Sequence, residues 1–429
     1  MNSNLNFKKK KIVIIGTGFS SLISAIIAIS KGYKPIILES SSNSKRKVGI
    51  YKKNYFYNSN FFGGLSNFWG GAISKTDKAD KKNIYNNKKF LKYFLIVDKL
   101  FKQYGKKDKY SEYFNLNTNL ILSKQKNINI IKKKKIIFGA SRIAINKKKL
   151  FNTREIFFKL FKEKKIKIIF NFKVTKFKEF KNKVVIYSSN NKKMICNKLF
   201  IGAGSFNTAN IFMNSFNKLK KIYLKENSIN YALIFFRKKI SFINNNSYCD
   251  FYMTKVGKEN YHNQIYLLKD KFLRKIKSYS YFYYMILKLL HLIFENKIIL
   301  VFNYMGMNIS KQIELTKNNN IISVRNIISK DKKNNYYSQV KNDLKNVFKK
   351  YFPFLIILKS SNFGDSNHYG SSFPFKKSKK ISNSTDLLGR YKNLKNIHII
   401  DSSSMPSLPT NTLTYTLMVH SARITDKSL

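Results

Sequence analysis

His368 is the side chain of this sequence best suited to proton transfer. It lies between two glycine-containing stretches, Gly364-Asp365 and Gly370-Ser371-Ser372, which are typical of turns. An imidazole titrates near neutral pH, so a positioned histidine can take a proton from a substrate hydroxyl. Without context, a lone histidine in a loop is more often structural. The catalytic hypothesis therefore depends on the elements that position this side chain.

The first forty residues indicate a nucleotide site. They predict a strand, a glycine turn, a helix, a second strand and a terminal acid, in the order Ile12–Ile15, Gly16–Gly18, Ser20–Lys31, Pro35–Leu38 and Glu39. In such a βαβ unit, Gly16 permits the tight turn and Gly18 lets the backbone approach a pyrophosphate at the helix N-terminus. Ser21 replaces the third glycine, and Glu39 lies where an acid accepts hydrogen bonds from a ribose. This fingerprint does not by itself separate FAD from NAD.

The same stretch has a rival interpretation as a signal peptide or membrane anchor. Lys8–Lys11 precede a run of uncharged residues from Ile12 to Ser30, as in such segments. Two glycines and four serines interrupt the run, and a second strand with an acid at its end follows it. These features favour the nucleotide-binding unit.

The strongly basic composition bears on the choice of partner. The 429 residues include 83 Lys and Arg against 21 Asp and Glu, a net charge of +62. Eight of the basic residues are arginine, the group favoured for paired phosphate contacts, and lysine is spread along the chain. We therefore discount nucleic acid as the main partner, while weak attraction to anionic membranes or substrates stays open. Cys196 and Cys249 are far apart and in no metal-binding spacing, which indicates a reducing compartment.

Glycine positions are informative because the chain has only 17 glycines. Ten of them fall in four short stretches, at residues 16–18, 63–71, 202–204 and 364–370. Clustering of this kind indicates backbone positions with positive φ or close approach to a ligand. The second stretch also contains the single tryptophan, Trp69. It predicts a loop that passes a cofactor at two points.

This second stretch resembles a flavin-contacting segment of the glucose–methanol–choline family of FAD-dependent oxidoreductases, whose pattern is GGxSxxxG or GGxSxxWG. Residues 201–211 resemble the AGAxxTxxLL segment of that family, and residues 396–406 resemble its NLYVxDxSxxP segment. Some relatives carry a histidine in the first of these loops that is bound covalently to the flavin. Phe68 occupies the comparable position here, so the resemblance implies non-covalent FAD.

The resemblance also implies a set of cofactor contacts. The backbone near Val174 would contact the adenine, and Asp401 would lie near the ribityl and pyrophosphate groups. The cofactor-binding residues predicted in this way are Gly16, Gly18, Phe19, Ser20, Glu39, Gly64, Ser66, Asn67, Trp69, Gly70, Val174, Gly202, Asp401 and Thr412.

The segment around His368 resembles the HxxGTxxM motif of the family, with its remaining positions taken by Ser371, Ser372 and Phe375. The resemblance implies that His368 takes the hydroxyl proton as hydride moves to flavin N5. A final helix is predicted from about Thr410 to Ile424, with its N-terminus facing flavin N1 and C2=O. The second catalytic residue of the family falls on Thr410 by spacing. We assign it to Asn411, whose amide can donate to a substrate oxygen.

The remaining histidines of the C-terminal segment are predicted to be structural. His398 falls within the strand that precedes Asp401, and His420 lies about two turns into the last helix.

The fold class implied is α/β, with a Rossmann-like FAD-binding domain and a mixed-sheet substrate domain with covering helices. The first domain comprises residues 1–80, 140–215 and 385–429, and its parallel sheet carries an inserted antiparallel meander. The second comprises residues 81–139 and 216–384. Helices are predicted at residues 88–104, 151–163, 281–294 and 337–351, with Asn152 or Thr153 capping the second of them.

The function implied is oxidation of an alcohol, sugar or polyol by a cytoplasmic dehydrogenase or oxidase. The electron acceptor stays open among O₂, a quinone and a protein carrier. Three alternatives also stay open: a flavin enzyme of isomerase type, a basic membrane-surface or nucleic-acid-binding protein, and an NAD-binding protein. The apolar stretch at residues 278–294 has too short an uncharged run to span a bilayer. Its docking on the inner membrane face remains an alternative to burial.

Overall fold

The computed structural model describes most of both ends and much of the middle of the chain. The described residues are 7–42, 51–53, 56–58, 61–73, 85, 87–104, 136–140, 142–146, 149–240, 249, 251–255, 260–268, 273, 276–277, 280–294, 297–306, 312–318, 321–327, 333–361, 366–375 and 383–429. The predicted turn at Gly364-Asp365 lies outside them.

The secondary structure alternates between strands and helices at both ends of the chain. The strands are β1 (Ile12–Ile15), β2 (Ile36–Leu38), β3 (Tyr51–Lys53), β4 (Phe56–Asn58), β5 (Ala72–Ile73), β6 (Ile136–Ala140), β7 (Arg142–Ile143), β8 (Ile145–Asn146), β9 (Lys149–Leu150), β10 (Lys167–Ile169), β11 (Val174–Phe180), β12 (Lys183–Ser188), β13 (Lys193–Cys196), β14 (Lys198–Ile201), β15 (Lys221–Glu226), β16 (Ile229–Phe236), β17 (Phe251–Lys255), β18 (Tyr261–Leu267), β19 (Ile298–Met305), β20 (Gln312–Asn318), β21 (Ile321–Ile327), β22 (Pro353–Ser360), β23 (Tyr369–Gly370) and β24 (Ile397–Ile399). The helices are α1 (Phe19–Ser30), α2 (Leu91–Tyr104), α3 (Thr153–Lys162), α4 (Ser205–Ser215), α5 (Tyr281–Phe294), α6 (Lys333–Val347) and α7 (Leu413–Ser428). Short 3₁₀ turns lie at Gly64–Asn67, Lys88–Phe90, Lys349–Tyr351 and Ser402–Ser404.

A five-stranded parallel sheet, in the order β10-β2-β1-β14-β24, joins the two ends of the chain. All four residues of β1 are buried. Ile12 and Ile14 pack with α1 and α7, while Val13 and Ile15 pack with α4 and the meander on the other face. Burial on both faces explains the continuously apolar sequence of this strand. The predicted strand is confirmed, and the membrane-anchor alternative is wrong because the run divides at Gly16 into a buried strand and a packed helix.

The predicted antiparallel meander is also present. Strands β11, β12 and β13 form a three-stranded antiparallel sheet between β10 and β14 of the parallel sheet. The α/β class with this insertion is therefore confirmed.

The predicted cap of the second helix is Asn152, whose side chain accepts a hydrogen bond from the backbone N–H of Arg154 at 2.8 Å at the start of α3.

Two antiparallel sheets form the rest of the described core. One has the order β22-β16-β19-β18-β17-β6, with α5 packed on one face and α6 on the other. The other has the order β21-β20-β15-β23. Its edge strand β23 directly follows His368, so this sheet fixes the segment that carries the predicted base.

Helix α2 packs on the parallel-sheet side of the molecule, against α7. The Tyr415 hydroxyl donates to Asp98 at 2.5 Å, and Lys92 pairs with Asp426 at 2.7 Å. Tyr93 joins the same apolar cluster as α1. These contacts attach residues 91–104 to the core that covers the parallel sheet, although the predicted division places them in the substrate domain. The division into domains stays a prediction.

Candidate active site

Three segments meet at the carboxyl edge of the parallel sheet. Gly16, Gly202 and Asp401 follow the adjacent strands β1, β14 and β24. Gly16 has φ +88°, and a Cβ atom at this position would lie 2.7 Å from the carbonyl oxygen of Gly202. Because that neighbour is backbone, a side chain cannot be accommodated by a rotamer change. The structure thus brings together segments that are almost 400 residues apart in the chain.

The N-terminus of α1 is open toward this edge. Gly18 precedes the helix in an extended conformation, and a Cβ atom placed on it would meet no heavy atom within 4 Å. Phe19 begins the helix, whose first turn contains no acidic residue. The first N–H groups of a helix lack intrahelical acceptors, and the helix dipole favours an anion there. The space and the donors are those that a pyrophosphate requires.

Glu39 lies at the end of β2 and is buried. One of its carboxylate oxygens accepts hydrogen bonds from the Ser41 N–H at 2.8 Å and the Ser40 hydroxyl at 3.2 Å, and the other accepts from the Thr17 hydroxyl. A carboxylate can accept about four hydrogen bonds, so Glu39 retains capacity for a ribose hydroxyl. Val174 lies nearby along the chain, two residues after Phe172, whose N–H donates to the Glu39 carbonyl.

The second glycine loop lies beside the start of α1. A Cβ atom on Gly64 would lie 3.7 Å from the Cα of Gly18. Ser66 donates to the Gly63 carbonyl at 2.6 Å, and the Asn67 amide donates to the Gly64 carbonyl at 3.0 Å. Asn67 also accepts from Asn152 at the cap of α3. The two predicted contact side chains therefore shape the loop and fix it to α3, and their contact with a cofactor stays a prediction.

The loop ends close to the six-stranded sheet. The Trp69 indole N–H donates to the Phe151 carbonyl at 2.7 Å, and its ring lies edge-on to Phe19 with a centroid distance of 4.6 Å. A Cβ atom on Gly70 would lie 3.8 Å from the hydroxyl oxygen of Tyr266 on β18. Trp69 and Gly70 thus lie between helix α1 and strand β18 of the six-stranded sheet.

Asp401 organises the turn between β14 and α4. One carboxylate oxygen accepts from the Gly204 N–H at 3.0 Å and the Thr208 hydroxyl at 2.5 Å, while the other accepts from the Ser403 N–H at 2.9 Å. Burial raises the pKa of this carboxyl, and the hydrogen bonds oppose that rise. Asp401 therefore locks Gly204 in place at the start of α4, where a Cβ atom would meet nothing within 4 Å.

His368 is partly buried, and its imidazole lies against an aromatic ring. Its ring stacks on Tyr304 with a centroid distance of 4.8 Å and an interplanar angle of 18°. Its Nδ1 is buried and has no hydrogen-bond partner among the described residues. Burial lowers the pKa of His368 to about 4. The imidazole is therefore neutral at physiological pH, which is the state a general base requires.

The segment after His368 is fixed to the Asp401 turn. Its backbone N–H groups donate in succession to the 3₁₀ turn, from Ser371 to the Ser402 carbonyl and from Phe373 to the Ser403 carbonyl, each at 2.8 Å. A Cβ atom on Gly370 would lie 2.5 Å from the Ser402 carbonyl oxygen. The position of His368 is thus tied to the same turn that organises the carboxyl edge of the parallel sheet.

Asn227 links His368 to the start of the last helix. Its backbone N–H donates to the His368 carbonyl at 3.0 Å, and its side-chain amide donates to the Pro409 carbonyl at 2.5 Å. Asn411 and Thr412, which follow Pro409, are both buried, and Thr412 is the N-cap of α7. The predicted base and the predicted second residue therefore lie on segments that one buried residue holds together, through its backbone N–H on one side and its side-chain amide on the other.

Comparisons with known proteins identify a solved structure with a similar fold. No family model matches the chain, and no curated protein matches it. Among solved structures, the chain is similar to pyridoxine 4-oxidase from Mesorbium loti, with a TM-score of 0.59 and 9% sequence identity, covering 98% of this chain and 99% of that one. The fold is that of the glucose–methanol–choline oxidoreductases. At this identity the likeness concerns the fold alone.

The other two C-terminal histidines have structural partners within this fold. His420 uses both ring nitrogens, Nε2 with the Ser404 hydroxyl at 2.8 Å and Nδ1 with the Tyr85 hydroxyl at 3.1 Å. Nδ1 of His398 bonds to the Leu388 carbonyl at 2.9 Å. Burial lowers the pKa of both side chains. Their contacts fit the structural roles expected from the sequence.

One face of the six-stranded sheet carries polar residues near His368 that the sequence analysis did not identify as site candidates. His262 on β18 is opposite Tyr304 on β19, the residue on which His368 stacks. The Thr254 hydroxyl bonds to Nδ1 of His262 at 2.7 Å, and burial, followed by the charge of His368, lowers the pKa of His262 to about 3. The same face carries Tyr252, Gln264 and Tyr266. The signal in the sequence of β18 is a group of three consecutive polar residues, His262, Asn263 and Gln264, of which His262 and Gln264 lie on this face.

Proposed function

We propose that this protein is an FAD-dependent oxidoreductase that removes a hydride and a proton from a CH–OH group and releases a carbonyl product. The observation that supports it is one arrangement of the described residues. The open N-terminus of α1 and the buried Glu39 both lie at the carboxyl edge of a parallel sheet, and the Asp401 turn joins the segment of His368 to this edge.

The residues present fit a flavin dinucleotide. In the proposal, the N–H groups at the start of α1 hold the pyrophosphate, Glu39 accepts from the adenosine ribose, and the backbone near Val174 contacts the adenine. The turn around Gly202 and Asp401 lines the centre of the dinucleotide. Phe68 has no nucleophilic atom, so FAD is held without a covalent bond.

Bound FAD supplies the hydride acceptor, and the protein supplies the base. An imidazole nitrogen of His368 takes the hydroxyl proton. The substrate oxygen then carries more negative charge, which favours breaking the C–H bond on the adjacent carbon. The Asn411 amide donates to that oxygen and orients it. The N-terminal end of α7 lies beside this group and its dipole stabilises negative charge nearby. The aromatic face around Tyr304 excludes water from the substrate.

Absorbance spectroscopy and anaerobic reduction test the proposal. The purified protein, reconstituted with FAD if necessary, should show flavin absorption that bleaches on addition of a substrate alcohol. The panel should include sugars, polyols and ring-bearing primary alcohols, including pyridoxine, because the structural relative is named for that compound. A folded preparation that binds no FAD contradicts the proposal.

His368→Ala separates catalysis from cofactor binding. It should retain FAD but be reduced about 10²- to 10⁴-fold more slowly, the range for a positioned general base. Asn411→Ala and Thr410→Ala form a matched pair, and only the first should slow reduction, by about tenfold, the cost of one hydrogen bond to the reacting oxygen. Reduction of His368→Ala at the parent rate would show that another group is the base.

A further inference from the structure

Helix α5 is apolar on its outer side. Leu287 is buried against the six-stranded sheet, with Tyr284, Leu290 and Phe294 partly buried beside it. Most of the outward side chains are also apolar, with Lys288 as a charged exception, and Phe282, Leu289 and Leu292 are 69%, 58% and 69% exposed. A surface helix normally presents polar residues to water, and a helix that is apolar all round is normally covered. Nothing in the described part of the chain covers this side of α5.

The edge strand β22 continues the same surface. Leu355 and Ile357 are paired opposite Phe235 and Leu233 on β16, which places them on the sheet face that α5 covers. Leu355 and Ile357 are exposed. The ring of Phe235 lies 5.0 Å from Phe294 at the end of α5. We define the apolar face as the exposed residues Phe282, Tyr283, Met285, Ile286, Leu289, Leu292, Ile293, Leu355 and Ile357.

Basic residues flank the segments of the apolar face in the sequence. Residues 271–300 contain six Lys and Arg against one acidic residue, and residues 348–361 contain three Lys and no acidic residue. The Lys277 ammonium lies 5.3 Å from the Tyr284 ring, and the Lys238 ammonium lies 4.6 Å from the Phe352 ring. Aliphatic lysine stems can lie along an apolar surface while the charged ends reach an anionic layer.

We propose that the apolar face docks on an anionic lipid surface, with α5 lying in the plane of the interface. The chemistry fits this occupant because phenylalanine, leucine and isoleucine enter the acyl boundary, while tyrosine and lysine lie at the headgroups. A second copy of the chain fits less well, since it would bring two molecules of net charge +62 together through equally basic rims. α5 has 14 residues, and no helix of the described residues is both long and apolar enough to cross a bilayer. The proposal does not rest on the flavin chemistry.

Co-sedimentation of the full chain with vesicles tests the proposal. The protein should bind phosphatidylcholine vesicles that contain phosphatidylglycerol, should bind pure phosphatidylcholine vesicles weakly, and should be released in part by added salt. Leu289→Glu should lower binding by about tenfold or more, because it removes apolar burial and adds a charge that the surface repels.

Leu95→Glu is the matched control. Leu95 also lies on a helix, α2, and is 59% exposed, against 58% for Leu289. This control should bind vesicles as the parent does. Leu292→Gln, an uncharged change on the apolar face, should cause a smaller loss and serves if Leu289→Glu does not fold.

Three results would overturn the proposal. The first is an absence of binding to anionic vesicles. The second is parent-like binding by the folded face variants, or an equal loss by the control. The third is a parent dimer in sedimentation velocity that dissociates in Leu289→Glu, which would assign the face to a second copy.

Discussion

Gly18→Ala tests whether a pyrophosphate binds at the start of α1. Gly18 has φ −74° and ψ −173°, an extended conformation open to any residue, and its Cβ would meet no protein atom within 4 Å. The free energy of unfolding of the apo protein should therefore change by less than about 1 kcal/mol, the usual difference between residues at an N-cap. The added methyl group occupies the space through which the pyrophosphate approaches. We expect FAD affinity to fall by about tenfold to a hundredfold, or about 1.4–2.8 kcal/mol.

Gly16→Ala is the contrasting variant. Its φ of +88° is unfavourable for alanine by about 1–2 kcal/mol. The new Cβ would also lie 2.7 Å from the Gly202 carbonyl oxygen, and relief of such overlap costs about 1–3 kcal/mol. Together these terms predict a loss of about 2–5 kcal/mol in the stability of the apo protein. Gly18 is thus needed to leave space for a ligand, whereas Gly16 is needed for the fold itself.

The assay combines urea unfolding of each apo protein with titration of FAD by quenching of flavin fluorescence. Gly18→Ala should unfold at the parent urea concentration yet bind FAD weakly, whereas Gly16→Ala should unfold at a lower urea concentration. If Gly18→Ala binds FAD with parent affinity, the pyrophosphate does not lie at the N-terminus of α1. That result would refute the assignment of the nucleotide site.

Further predictions follow from burial and from residue chemistry. Because the pKa of His368 is lowered to about 4, the rate constant of flavin reduction should be constant near neutral pH and should decrease as the pH falls through about 4; a decrease centred on 6.5 in a stopped-flow pH series would contradict this assignment. The pKa of each of four histidines is lower in the folded protein than the ordinary 6.5, namely His262, His368, His398 and His420. The unfolded chain therefore binds protons that the folded protein does not, so the free energy of unfolding is highest above pH 6.5 and decreases as the pH falls below it. Urea midpoints should decrease between about pH 7 and 5 by an amount equivalent to roughly 1–2 kcal/mol for each of His262, His368 and His398, and His420 should act in the same direction. Because Phe68 cannot form a bond to the flavin, acid precipitation should release all FAD to the supernatant, and flavin retained in the pellet would show a covalent link elsewhere.

The sequence predicts well those elements that local patterns define. Strand Ile12–Ile15 and helix Tyr281–Phe294 have the predicted bounds, because each is an apolar run with clear interruptions at its ends. The parallel sheet with its meander agrees with the fold that the resemblance implies. Local pattern locates these elements along the chain, but their burial comes from distant segments, since β1 pairs with β14 and packs against α7.

The site is predictable only in part, because several of its contacts join distant segments. Asn227 is unremarkable in the sequence, yet it donates to the carbonyls of both His368 and Pro409, and Pro409 lies 182 residues further along the chain. His262 belongs to the site because β18 pairs with β19, a fact that no local pattern contains. Conversely, Ser66 and Asn67 match a cofactor-contacting motif, but their side chains bond within the loop and to α3.

The segment that follows His368 departs from the HxxGTxxM pattern at Ser371, a position where the substitution costs little stability. Ser371 occupies the glycine position of that pattern and has φ +53°, so the native conformation is one that glycine adopts freely and serine adopts at a cost of about 1–2 kcal/mol. Gly370, one residue earlier, has no such freedom, because a Cβ atom would overlap the Ser402 carbonyl oxygen at 2.5 Å. Torsional strain can be tolerated within a buried segment held by backbone hydrogen bonds, whereas backbone overlap would displace the turn that contains Asp401. Ser371 therefore adopts a backbone conformation that the glycine of the pattern would adopt freely, and His368 remains fixed to the edge where the nucleotide is proposed to bind.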